Sequence, residues 1–147
     1  MVTTTDTTDI VTQPKLEEHA QPSFKRWLKH LFYMPATKRF FSRQDQHAIA
    51  LTVEEAEHGH VGEIQVVIEG SLPSRSAYYQ DTLCRARQLF AELGVWDTEH
   101  NSGVLLYLNL CERKVEIVID RGIKYTTEQQ VWDEICQKMV YELAQRE

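Results

Sequence analysis

What this chain lacks narrows its class before any motif is read. No apolar run approaches the roughly 18 residues of a membrane span, so the sequence predicts no transmembrane helix. The opening MVTTTDTTDI has no basic stretch followed by an apolar core, so no secretory signal is expected and a cytoplasmic location follows by default. Cysteine is scarce: Cys84, Cys111 and Cys136 are widely spaced and form no CxxC pair. Reduced thiols therefore fit better than disulfides or a zinc knuckle, and small apolar core residues better than chemistry. There is no P-loop and no internal repeat. Cations are few beyond residue 43. Residues 44–147 carry nine Lys/Arg against eighteen Asp/Glu, net −9, whereas residues 1–43 carry seven against four, net +3. So acidic a body is a poor nucleic-acid binder, because phosphate contacts need clustered cations. It suits cations or basic partners.

At 147 residues the chain is long enough for one domain with its own core. Residues 1–20 are Thr-rich and without periodicity, which predicts a disordered tail. Residues 21–43 read as a basic amphipathic helix and linker. Phe24, Trp27, Leu28 and Leu31 recur at helical spacing, and Lys25, Arg26 and Lys29 fall largely on other faces. Such a helix covers a face of the domain, or makes peripheral contact with an anionic membrane.

Residues 44–147 form the domain proper. A helix is predicted over Gln44–Glu57, ending near Gly59, followed by a half-buried strand in which Ile64, Val66 and Ile68 alternate with polar residues. Tyr79, Leu83, Ala86, Phe90 and Leu93 keep helical spacing over Arg75–Leu93, and Gly94 stands where a C-terminal glycine belongs. Val104–Leu110 is apolar nearly throughout and reads as a central strand; Val115–Ile119 reads as a third strand nearer an edge. Thr126 or Thr127 is the expected cap of a last helix with an inner face of Val131, Trp132, Ile135, Met139 and Leu143.

A helix between strands one and two makes them parallel, and the short linker to strand three makes that pair antiparallel. The starts of strands one and two and the end of strand three then meet at one edge of a mixed sheet. Gathered there are His58–Glu63, Trp96–Asn101 and Asp120–Arg121. Glu63, Asp97, Asn101 and Asp120 offer the oxygen ligands that Ca²⁺ or Mg²⁺ prefers. Asp97 and Asp120 also suit turns or helix caps. His58 and His60 are two apart, a poor spacing for zinc. The opposite edge, with Glu69–Ser71 and Asn109–Arg113, looks less promising.

At His58-Gly59-His60-Val61-Gly62-Glu63-Ile64, Trp96-Asp97-Thr98-Glu99-His100-Asn101-Ser102-Gly103-Val104-Leu105 and Val115–Ile123 the chain resembles the TPM domain family, in a short bacterial branch without signal peptide or membrane anchor. The resemblance covers about Phe40 to Leu143. It implies a three-layer α/β/α sandwich around a small mixed β-sheet, a Ca²⁺-type cation site and, by analogy with plant members, acid phosphatase activity. No established catalytic set maps residue by residue; Asp97, Asp120 and Arg121 are the candidates. No organic cofactor is implied. Members of this branch usually continue beyond the last helix, so an apolar surface is expected for the N-terminal helix or a protein partner to cover. Two functions follow as expectations: a binding, assembly or quality-control module with a divalent-cation site, and a weak metal-dependent phosphomonoesterase.

Overall fold

The computed structural model describes residues 40–72 and 81–145. The expected tail and most of the basic stretch, including Phe24, Lys25, Arg26, Trp27, Leu28, Lys29 and Leu31, lie outside the described residues, as does Tyr79.

Helix α1 spans Arg43–Glu57 and starts from a reciprocal cap: the Ser42 hydroxyl accepts the Asp45 amide at 3.1 Å, while Asp45 accepts the Ser42 amide at 2.8 Å. It stops before Gly59, whose φ of 86° is left-handed. Strand β1 follows over Glu63–Glu69. Helix α2, Thr82–Glu92, is shorter than the heptad-like spacing predicts, because the Asp81 side chain accepts the Cys84 amide and caps it there. Strand β2 covers Gly103–Asn109 and β3 covers Lys114–Ile119. One turn, α3 (Arg121–Lys124), leads to helix α4, Gln129–Ala144.

The strand order is β1-β2-β3, with β1 parallel to β2 and β2 antiparallel to β3. Both polarities match the expectation. Helix α2 lies over one face, above β2 and β3, and Ala86, Leu89 and Phe90 pack there with Leu105, Tyr107 and Val118. Helix α4 lies over the other face, where Cys136, Trp132 and Met139 meet Leu108, Ile117 and Ile119. Helix α1 sits beside β1 on the α4 face, giving three layers. Burying each such side chain stabilises the fold by about 1.5–3 kcal/mol.

Two expectations need correction. The inner face of α4 is Trp132, Cys136, Met139, Val140 and Leu143, whereas Val131 and Ile135 are exposed. Neither Thr126 nor Thr127 caps α4: its N-cap is Glu128 without a side-chain bond, and the Thr126 hydroxyl donates to the Ile123 carbonyl at 2.7 Å. Strand β3 lies at an edge of the sheet among the described residues, as expected, and is buried over Val115–Ile119 because helices cover both faces. No described helix is long and apolar enough to cross a membrane. Cys84, Cys111 and Cys136 are thiols and not disulfides.

Candidate functional site

Main-chain bonds tie the three polar segments together at the edge where β1 and β2 begin and β3 ends. The Glu63 amide donates to the Ser102 carbonyl at 3.1 Å, and the Asp120 amide to the Gly103 carbonyl at 2.9 Å. The Gly122 amide then donates to the Asn101 carbonyl at 2.9 Å. The Ser102 hydroxyl bonds back to the Val61 carbonyl, and the Thr98 hydroxyl takes the Ser102 amide at 2.8 Å. Asn101 turns the loop at a φ of 52°, a left-handed position that Asn tolerates better than most residues. Gly122 is required by closeness: a Cβ there would collide with the carbonyls of His100 and Asn101.

The side chains divide by burial. Glu63, Asp97 and His100 are exposed, Asn101 and Arg121 are half-buried, and Asp120 is fully buried. Asp120 Oδ1 accepts the Arg121 amide at 2.7 Å, the cap role open to it from sequence. Its Oδ2 is buried and meets no hydrogen-bond partner among the described residues. A buried carboxylate oxygen left bare in this way is costly unless a water or another donor meets it. Among the described residues no three His, Cys, Asp or Glu side chains form a group that holds a metal. The backbone therefore brings Glu63, Asp97, Asn101 and Asp120 to one edge without gathering them into a preformed shell. His58 and His60 are exposed, and the His60 Nδ1 accepts the Gly62 amide at 3.1 Å.

At the opposite edge lies a polar network that sequence reasoning set aside. The Arg85 guanidinium grips Glu69 through Nη2–Oε1 at 2.6 Å and Nε–Oε2 at 3.1 Å. That bond to Glu69 raises the guanidinium pKa further. The Tyr107 hydroxyl donates to Glu69 Oε2 and accepts from Asn109 Nδ2, both at 2.9 Å. Burial, then the Glu69 charge, pushes the Tyr107 phenol above its ordinary value. Thr82 donates to the fully buried Glu116 at 2.7 Å. These groups sit by the carboxyl ends of the parallel strands, where α/β proteins most often place ligands, and that rule was the signal available.

The model of the TPM domain family matches residues 36–147. The chain belongs to the TPM domain family. Among solved structures it is similar to the BA42 protein of the psychrophilic bacterium Bizionia argentinensis, at 27% identity and a TM-score of 0.56 over 65% of this chain. The chain spans 61% of the length of that relative. A search of the curated proteins found no match. For the TPM domain, then, the edge formed by Glu63, Asp97–Asn101 and Asp120 is the place where three separate segments converge.

Proposed function

We propose that this TPM domain is a binding module, acting in assembly or quality control, whose three-segment edge takes a hard divalent cation, Ca²⁺ or Mg²⁺. One observation carries the reading: the Asp120 carboxylate is fully buried and, among the described residues, keeps Oδ2 without a partner. Ca²⁺ accepts carboxylate, carbonyl, amide and water oxygens in varied numbers, so it does not need three preassembled acids. Asp120 would supply the fixed ligand, and Asp97, Glu63 and Asn101 the adaptable ones. The bound cation would offset the buried charge and hold the Asp97–Asn101 loop against the end of β3.

Phosphomonoester hydrolysis is the alternative, with Asp97, Asp120 and Arg121 as its residues and the cation polarising the phosphate. Binding is favoured because no P-loop or other phosphate cradle accompanies these residues in the sequence.

Melting in Ca²⁺ and in Mg²⁺ tests both. At 100 times its Kd a cation adds about 2.7 kcal/mol of stability, and Asp120→Asn should abolish that gain. No response to either cation would sink the proposal. Turnover of p-nitrophenyl phosphate that needs the cation and vanishes in Asp97→Asn would replace it with the enzymatic reading.

A further inference from the structure

Among the described residues the sheet has an open side at β1. The Glu63 amide and the Glu69 carbonyl both bond towards β2, so the main-chain groups of Ile64, Val66 and Ile68 face outward. The Ile64 amide is taken by Glu57 Oε1 at 2.6 Å. Among the described residues nothing pairs with the outward amides and carbonyls of Val66 and Ile68. An unpaired strand edge is a template for another strand unless something blocks it.

Beside this edge runs a groove of about 350 Å³ between α1 and β1, lined chiefly by Ile49, Ala50, Val53, Ile64, Val66 and Ile68. Helix α1 has no buried residue along its 15 positions, and Leu51 is 52% exposed. Among the described residues nothing buries its outer positions. On the other face α2 lies over β2 and β3, which leaves Glu63 and Gln65 of β1 exposed.

Charge selects the occupant. Residues 43–69 hold six Asp/Glu and one Arg. Glu57 and Asp45 are engaged with the Ile64 and Ser42 amides and Glu69 with Arg85, while Glu54, Glu55 and Glu63 are exposed. Pairing two copies along β1 would set these acids against each other, so self-association is disfavoured. We propose that the outer edge of β1 and the groove under α1 dock an extended basic segment of a partner protein, added as a further strand. Its apolar side chains enter the groove beside Ile64, Val66 and Ile68. The alternate side chains, Lys or Arg, stand beside Glu63 and Gln65. Main-chain bonds to Val66 and Ile68 supply affinity, and the alternation supplies selectivity. This surface shares Glu63 with the Asp120 edge, but Val66, Ile68 and the groove under α1 belong to it alone, so either reading can fail without the other.

The test uses the full chain and a fluorescein-labelled, acetylated and amidated peptide, Lys-Val-Lys-Val-Lys-Val-Lys. Saturable binding on the order of 10 µM is expected, weakening with salt. Amide shifts should centre on Ile64–Ile68, and a Glu-for-Lys peptide should bind at least about 10-fold more weakly. N-methylating the valine amides or the lysine amides must give different results, because only one set faces β1. Val66→Pro removes the outward donor at an edge position that tolerates proline, and should cost about 10-fold in affinity with the fold retained. Equal binding by both N-methylated peptides, shifts centred on another element, or no saturation up to about 1 mM would each overturn the proposal. So would protection of the Val66 amide that rises with protein concentration and needs no peptide, which would assign the edge to a second copy.

Discussion

The two ends of the sheet hold comparable numbers of polar groups and treat them differently. At the carboxyl end of β1, Glu69 is held twice by Arg85 and once by Tyr107, and Asn109 completes the chain of bonds. At the amino end Asp120 is buried more deeply than Glu69, yet among the described residues one of its oxygens has nothing to accept from. A satisfied network fixes structure, whereas an unsatisfied buried carboxylate stores a deficit that binding removes. Clustering of polar residues therefore does not by itself mark a site.

Substitutions at the two ends should separate these roles. Arg85→Ala leaves Glu69 largely buried without its cation and is expected to cost about 2–4 kcal/mol in urea unfolding, with any cation response intact. A loss below about 0.5 kcal/mol would mean that the ion pair is a solvated one. Gly122→Ala tests whether the amino end is a rigid junction. Its new methyl group meets the carbonyls of His100 and Asn101, so a loss of about 1–3 kcal/mol is expected, and cation affinity should fall with it. If stability is unchanged, the segments part freely and the site is not preorganised. The smallest effect concerns Cys84, at the start of α2 near the carboxyl end. Burial first, then the Asp81 charge, pushes its thiol from 9.0 to about 11. A raised thiol pKa means the folded state holds the proton more firmly, so this group's contribution to stability is lost as pH rises through 9 towards 11. Alkylation by iodoacetamide should follow that higher midpoint; labelling with a midpoint near 9 would show an open helix start.

Much of this architecture is legible in the residues. The alternation of Ile64, Val66 and Ile68 gives β1 its inner face, and the apolar run at Val104–Leu110 places β2 at the centre. Crossover length and hairpin length then dictate both strand polarities, so the meeting of Asn101 with Gly122 follows without a structure. Helix α4 shows where such reasoning stops. Val131, Trp132, Ile135, Met139 and Leu143 lie within one stripe, and Trp132, Cys136, Met139, Val140 and Leu143 lie within another of similar width. Three residues are common to both, so periodicity alone cannot choose; the buried Cys136 decides it. Glu116 misleads in a related way. A lone Glu in a strand reads as solvent-facing, but the Thr82 hydroxyl at the head of α2 receives it in the interior. At the site, sequence brings Glu63, Asp97, Asn101 and Asp120 to one edge but not their unequal burial, because burial depends on how the three loops stack.

The strand order also bears on how the molecule assembles. The β2–β3 hairpin closes across a four-residue loop, Leu110–Arg113, while β1 reaches β2 only after the whole α2 crossover has been laid down. Short loops close before long ones, so the hairpin is expected to form early and β1 to dock late. The last strand in is ordinarily among the first to open, which would make the Ile64–Ile68 amides exchange with solvent faster than those of β2. An arriving partner strand would then act as a latch on the domain's slowest-formed contact.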